Sequence, residues 1–588
     1  MVRPVIFVLG ASALPVAQTL KAAFDGEIHT PDCVAGGDVH YPKATAHLAR
    51  LFQEQRPIIG LCASGILIRA LAPHLNDKFS EPPVIAVAED GSSVVPLLGG
   101  HHGANALARR IAEITGGHAA ITTASDVAFG IALDDCPPGY ALRNRDDMKA
   151  FAARLLGGEK VKIHGDAPWL SALPQSADAT LSITITELEM EGAPDHLVYH
   201  PQTLTVGVGC ERGTPDNHVR DLVNATLLAH GLAEWSVSNY GTLDLKEDEP
   251  AIAEDFWPEI RFFTADELNA VAGRVPQPSA TVAVATGTPS VSEAAALALA
   301  NPDGAIIVPK TKSNRATCAV ARSPSPVIES RGRELGILKV VGIGPGGWYM
   351  RSPQATTALS IASDWVGYGL YLDLVQRVKT DQTEHRFPLG GEEERVRHAI
   401  ALAKQGRTVA LVCSGDAGIY AMAALVYEIL DLEPCRIRVE VIPGISAFQA
   451  AAAKAGAMIG HDFCCISLSD LLTPWDIIER RVKAAAEGDF VISFYNPRSL
   501  KRRDQLERAF AILAKHRPPE TPVIIASNLG RPEEKVKIVP FSDFNPGDVD
   551  MLTLVMVGSS QSKSFKRGNG ETYAYTPRGY ARKREAAE

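Results

Sequence analysis

The sequence predicts a multidomain α/β protein, and three observations carry that expectation. At 588 residues the chain is too long for one hydrophobic core, and about 100–200 residues per domain suggests roughly three to five domains. Apolar runs of four to six residues alternate with helical patterns along most of it, the mark of βα units on parallel sheets. Many of those runs end in glycine-rich turns, at the strand edge where open α/β sheets hold their ligands.

Composition narrows the class. Hydrophobic content of 46% and charged content of 21% are those of a soluble globular protein. A net charge of −10 argues against nucleic-acid binding as the main activity. No run of about eighteen apolar residues appears, so no membrane span is expected. Nine scattered cysteines without a C-x-x-C pair fit a reducing cytoplasm, the expected location. Adjacent Cys464 and Cys465 read as buried thiols rather than a metal or redox pair.

Taken in order, MVRPVIFVLGAS reads as a first strand rather than a leader, followed by a helix to about Phe24. IIGLCASG and PPVIAVAED are strand-like around the helical ILIRALAPHL, and a helix follows in GGHHGANALARRIAEI. Residues 137–200 are less regular, but the alternation in TLSITITELEM predicts a strand exposed on one face. A second block opens with the strand and turn TLTVGVGCERG and the helix DNHVRDLVNATLLAHG. It returns to a strand at TVAVATGTPSVSEAAALALA and closes with AIIVPKTKSN. ARSPSPVIESRGRELG, residues 321–336, is rich in Pro, Ser and charge and is expected to be a linker. The expected domains are therefore 1–136, 137–200, 201–320 and 337–588. In the last, LKVVGIG, TVALVCSG, RVEVIPG, DFVISFYN, TPVIIASN and MLTLVMVGS are the strands. GEEERVRHAIALAKQ and AGIYAMAALVYEIL are helices between them.

The glycine turns of the last block carry the chemistry. In VVGIGPGGWYM, Gly342, Gly344 and Gly347 fit the bare G-x-G-x-x-G spacing of a dinucleotide turn. Yet Pro345 and Gly346 fill the variable positions, and a second proline in WYMRSPQATTAL delays the helix whose N-terminus would cradle a pyrophosphate. No G-K-[ST] follows, so a Walker loop is excluded. LVCSGDAGIYAMAALV places Ser414, Gly415 and Asp416 at a second strand end. VIPGISAFQAAAAKAG places Pro443, Gly444, Ser446 and Ala447 at a third. Alone, Asp416 reads as a helix cap.

Together GIGPG, SGDAGIY and PGISA resemble the tetrapyrrole methylase family, the class III S-adenosylmethionine methyltransferases, over about residues 338–560. FPLGGEEERVRHA, SFYNPRSLKRRDQL and AYTPRGYARK are similar to the precorrin-3B C(17)-methyltransferases within that family. The resemblance implies a two-lobed α/β methyltransferase with S-adenosylmethionine in the cleft, and a homodimer. It implies a tetrapyrrole substrate, precorrin-3B, methylated at carbon 17 with ring contraction to precorrin-4; whether that substrate carries cobalt stays open. By the same resemblance Gly344, Pro345 and Gly346 line the donor pocket. Ser414, Gly415, Asp416 and Ile419 hold its methionine and ribose parts, with Ser446 and Ala447 beside them, and Tyr495 and Leu529 meet the nucleoside. Gly347 stands where many members have an acid.

A sulfonium donor fits such turns, having no phosphate to cradle and needing close backbone approach. Methyl transfer needs mainly alignment, whereas ring contraction moves protons and invites a general acid or base. His385 and Tyr495 are the catalytic candidates, with Glu384 and Arg386 beside them; taken singly, His385, Glu384 and Arg386 read first as solvated loop charges. The basic run KRRDQLER either meets substrate carboxylates or is a solvated helix face.

Upstream, SGILIRALAPHLNDK, AVAEDGSSVVPLLGGHHGANALARRIAEITG and ITTASD resemble the CbiG family. GVGCERGT, ATGTPSVSEAAAL and IVPKTKSNRATCAVAR resemble its C-terminal domain. The resemblance implies a module that opens a lactone on a cobalt-precorrin and releases acetaldehyde; the alternative is a non-catalytic corrinoid carrier. Its polar candidates are Glu89, Asp90, His101, His102, Glu211, Arg212, Lys310 and Lys312. Gly99-Gly100 and Gly287-Thr288 are turns able to present amides to anionic groups. Adjacent histidines in extended chain point to opposite sides, so no metal is expected. No nucleophile or base is assigned by sequence.

Overall fold

The computed structural model describes residues 3–76, 81–131, 133, 136–499, 504–568 and 570–580. The chain divides into two compact units: residues 1–242 with 264–331, and residues 243–263 with 332–588.

The first unit contains three sheets. In the first, Val39–Tyr41, Glu27–Pro31, Val5–Val8, Ile58–Leu61, Val84–Val87, Ser93–Leu98 and His118–Ala119 lie in that order. The first five run parallel, and Ser93–Leu98 turns antiparallel. Helices cover both faces, so Val5, Ile6, Phe7 and Val8 are all fully buried, which is why that stretch reads as a continuous apolar run. A second sheet orders Tyr140–Leu142, His196–Pro201, Leu181–Ile185 and Val161–His164. The TLSITITELEM strand lies within it with Leu181 and Ile183 buried, as the alternation predicts. In the third, Val237–Leu243, Leu204–Cys210, Ala316–Arg322 and Ala305–Lys312 are neighbours; the first two are parallel and the others antiparallel.

Two expectations are corrected here. TVAVAT is not a strand but the α-helix Ala280–Thr286, capped by Ser279, whose hydroxyl accepts from Val282 N (3.4 Å). Its run of Ala and β-branched residues imitates a buried strand, yet no residue of it is buried and Val284 is 91% exposed. Residues 321–336 do contain the passage between the units, between 331 and 332, but they are not free chain. Ala321 and Arg322 complete a strand. Beyond them Ser323 and Val327 are buried, with Val327 N donating to the Gln202 carbonyl at 2.9 Å.

The second unit has two lobes. One holds an all-parallel sheet ordered Thr383–Phe387, Asp364–Tyr368, Thr408–Cys413, Ile337–Gly342 and Arg438–Ile442. The other is mixed, ordered Phe463–Ser467, Val491–Tyr495, Thr553–Val557, Pro522–Ser527 and Lys535–Pro540. The predicted strands of this block all form. Thr383–Phe387, Phe463–Ser467 and Lys535–Pro540 join them as strands that lie at sheet edges and carry polar residues or partly exposed cysteines. Residues 243–263 pack with this unit: Phe262 bridges Arg333 through the main chain, and the Arg333 guanidinium pairs with Glu247 and with Asp244 (3.3 Å).

Candidate methyl-donor site

Three parallel strands, Ile337–Gly342, Thr408–Cys413 and Arg438–Ile442, end side by side, and the turns beyond them lock into one rim. Gly344 N donates to Gly415 O (3.1 Å) and Gly415 N to Gly344 O (2.8 Å). Both residues take positive φ, +79° and +69°, which costs a glycine little. The turns abut so closely that a Cβ on Gly444 would stand 2.1 Å from Gly415 O, and one on Gly342 2.8 Å from the same oxygen. Asp416 fastens the third turn to the second: its carboxylate accepts from Gly418 N (2.8 Å) and Gly444 N (3.0 Å). It therefore holds the turns together rather than capping a helix.

The other lobe closes on this rim through the turn after Pro522–Ser527. A Cβ on Gly530 would lie 2.5 Å from Gly347 N, and one on Gly346 2.8 Å from Leu529 O. Arg531, a residue sequence reasoning missed, forms the clasp. Its Nε donates to Pro345 O (3.1 Å) and its Nη2 to Ser414 Oγ (3.1 Å). Burial lowers the guanidinium's affinity for its proton, with Tyr371 and Tyr368 offsetting this. Nothing in NLGRPEE distinguishes this arginine from a surface charge; the signal lies in the glycines that bring the two turns together.

An apolar wall continues from the rim. Ile419, Ala447, Tyr495 and Leu529 belong to one cluster with Met350, Phe448 and Ala451, so four predicted contacts meet there. Ser446 is buried at the start of the helix Ala447–Ala455, and its N donates to Gln449 Oε1 (2.9 Å). Phe448 N donates to the Tyr495 hydroxyl (3.4 Å), and the Tyr495 ring lies 5.3 Å from that of Tyr420. Burial raises the Tyr495 phenol above its ordinary value, so at neutral pH it is a hydrogen-bond donor and not a base.

His385 does not join this group. It sits mid-strand on the sheet edge, in register with Val366. Its Nε2 meets Asp364 Oδ1 (2.9 Å) and its Nδ1 meets His398 Nε2 (2.9 Å). Asp364, fully buried and paired with Arg407 (2.7 Å), begins its strand, so this chain of groups runs toward the sheet end opposite the donor turns. Both ring nitrogens are occupied by a structural network. Glu384 and Arg386 lie on the same strand rather than in a loop, joined to each other (2.7 Å) and to Lys379 and Asp373. Lys501, Arg502 and Arg503 of the basic run lie outside the described residues.

The polar candidates of the first unit serve mainly local structure. Asp90 accepts from Ser92 N and Oγ (3.0 and 2.7 Å), and Glu89 accepts from Ser12 (2.7 Å). Gly99, at φ +74°, leads into a single turn, Gly100–His102. Lys310 Nζ donates to Gln277 O (2.7 Å), and its N to the buried Glu293 (3.1 Å). Gly287 closes the Ala280–Thr286 helix at φ +78°, and Thr288 beyond it is fully buried. Cys464 and Cys465 are partly buried, and burial pushes the Cys464 thiol up to about 11. Among the described residues no three His, Cys, Asp or Glu side chains gather as a metal site.

A parallel sheet ending in locked turns, clasped by a second mixed lobe, is the frame in which comparison with known proteins becomes informative. Residues 338–545 match the model for tetrapyrrole (corrin/porphyrin) methylases. Residues 46–126 match that for the cobalamin synthesis G N-terminal region, and residues 204–321 that for its C-terminus.

The chain belongs to the tetrapyrrole methylases. It is 45% identical over 249 residues to a probable cobalt-factor III C(17)-methyltransferase of Salmonella typhimurium, covering 42% of this chain and 99% of that one. It is 39% identical to a precorrin-3B C(17)-methyltransferase of a Sinorhizobium species, covering 42% and 98%. With a cobalt-factor III methyltransferase of Priestia megaterium the identity is 41%, over 42% of this chain and 46% of that one.

The residues at the rim fit a donor of the S-adenosylmethionine type. They offer main-chain donors and acceptors, small side chains and an apolar wall, and the rim turns of residues 342–347, 414–418 and 443–447 contain no lysine or arginine for a phosphate.

Proposed function

We propose that the second unit transfers a methyl group from S-adenosylmethionine to carbon 17 of precorrin-3B, coupled to ring contraction to precorrin-4, in cobalamin biosynthesis. The single observation that carries this reading is the locked rim of Gly344, Gly415 and Gly444, which lies in the region that is 45% and 39% identical to two C(17)-methyltransferase relatives. The donor supplies an already activated methyl group; the protein's part is alignment. Pro345 and the Gly344–Gly415 pair would form the floor under the donor, and Ser414 and Ile419 would flank its methionine and ribose. Ser446, Ala447, Leu529 and the Tyr495 ring would enclose the nucleoside. The neutral Tyr495 hydroxyl would orient substrate or donor by donating a hydrogen bond. The functional form is a cytoplasmic homodimer in this reading.

The first unit is read as the lactone-opening partner of the same pathway, supported by its two matched regions. Incubating the full chain with radiolabelled donor and either metal-free or cobalt-loaded substrate tests the pairing. Methyl transfer to the metal-free macrocycle is expected; transfer only to the cobalt form would reassign the substrate, and transfer to neither would refute the reading.

A further inference from the structure

We infer that Ser313 and His218 form a nucleophile–base pair that opens an ester or lactone carbonyl in the first unit. The two residues are ninety-five positions apart, yet His218 Nε2 lies 2.9 Å from Ser313 Oγ, within reach for proton transfer. The topology brings them together. His218 begins the helix His218–Ala229 after the strand Leu204–Cys210, and Ser313 opens the turn between the antiparallel strands Ala305–Lys312 and Ala316–Arg322. Both features lie at the end of the sheet where Cys210 pairs with Ala316. Both side chains are only half-buried, so a substrate can reach them.

Ser313 Oγ accepts from Ala316 N (3.0 Å) and Arg315 N (3.4 Å), and its proton has two acceptors within reach, the Ala316 carbonyl at 3.4 Å and the His218 imidazole at the shorter 2.9 Å. Around it, Arg315 straps the preceding loop in place: its Nη2 donates to Arg212 O (2.7 Å), its Nε lies 3.5 Å from Glu211, and its carbonyl accepts from Glu211 N (2.9 Å). The exposed Lys312, next in sequence to Ser313, adds positive charge beside the pair, suited to an ester on a scaffold bearing carboxylates. A serine used only to cap its turn would need Ala316 N and not the imidazole.

In the step inferred, Ser313 Oγ bonds to the carbonyl carbon and its proton passes to His218 Nε2. The ring oxygen leaves as the alcohol, taking that proton, and an acyl-serine remains. Water, losing a proton to the same imidazole, then attacks; the acid is released and the serine restored. The substrate class rests on the lactone-opening reading of this unit, whereas the reactivity of Ser313 does not, and the two are separable.

A fluorophosphonate probe applied to the full chain, with adducts located by peptide mass mapping, tests the pair. One adduct at Ser313 is expected. Ser313→Ala should abolish it, and His218→Ala or His218→Gln should slow it by roughly 100-fold. All three variants should keep the unfolding temperature and the methyl transfer of the unmodified protein. An unlabelled Ser313, or equal labelling without His218, overturns the inference. Acetaldehyde release from a lactone-bearing corrinoid separates the two ideas. Release that persists in Ser313→Ala refutes the pair and spares the lactone-opening reading; labelling without release in the unmodified protein does the reverse.

Discussion

Asp416 and Arg531 hold the rim proposed to bind the donor, through different bonds. Each Asp416 oxygen accepts one backbone N–H, from Gly418 and from Gly444. Asp416→Ala removes the acceptor of both; the exposed Gly418 N–H can turn to water, whereas the half-buried Gly444 N–H loses its bond at a cost of up to about 1–3 kcal/mol. Donor affinity measured by calorimetry should fall by on the order of tenfold or more, while Asp416→Asn, which keeps one acceptor oxygen, should fall less. Unchanged binding in Asp416→Ala would refute the role. Arg531 holds Pro345 and Ser414 with two different nitrogens. Lysine carries its donors on a single nitrogen and lacks the planar fork that spans the two acceptors here. Arg531→Lys should therefore weaken donor binding nearly as much as Arg531→Met, and recovery of affinity in the lysine variant would contradict the clasp. Asp416 was legible because it stands in a motif with two other turns. Arg531 was not, because its partners are a main-chain carbonyl and a serine hydroxyl more than a hundred residues upstream.

Position in the sheet did not by itself decide which strands were legible: the edge strand Arg438–Ile442 was read, whereas Asp364–Tyr368, buried in the sheet interior, was not. Ile337–Gly342 and Val5–Val8 read as strands because every residue is buried. Thr383–Phe387 is an edge strand, paired with Asp364–Tyr368 and two strands removed from Ile337–Gly342; it carries Glu384, His385 and Arg386 and reads as a charged loop. The Ala280–Thr286 helix fails in the opposite sense, since its exposed valines carry the apolar signal of a buried strand. Burial also gives the first sheet a pH-dependent weak point. His29 Nδ1 and His47 Nε2 lie 2.8 Å apart, His47 stacks on Tyr41 at 4.7 Å between centroids, and Arg50, Arg56 and Glu27 surround the pair. Burial pulls His47 from its ordinary 6.5 down to about 3, with the positive charge of His29, Arg50 and Arg56 adding to it. Between those values the unfolded chain binds a proton that the folded chain rejects. Stability is therefore complete above about 6.5 and declines as pH falls, by about 1.4 kcal/mol per pH unit for one proton. Glu27, lowered to about 2 with His29 and Arg56 beside it, adds to the loss only below its ordinary value of 4.5. Unfolding temperatures should drop between pH 7 and 5, and His47→Gln should flatten that drop; an equal drop in the variant would contradict it.

At the scale of the whole molecule, two units built from the same α/β grammar would, on the proposed reading, carry chemistry of different kinds. In the second, proximity and a rigid floor suffice because the methyl group arrives activated. In the first, an ester carbonyl would need a nucleophile, and the inferred one is Ser313, which the fold sets 2.9 Å from His218 across ninety-five residues that hide the pair from any motif. The central claim is the position of methylation. The full chain, incubated with precorrin-3B and donor labelled with ¹³C in its methyl group, should yield a product whose labelled carbon is attached at carbon 17 of a contracted ring by NMR. Label at any other carbon, or an uncontracted unlabelled macrocycle, would contradict it.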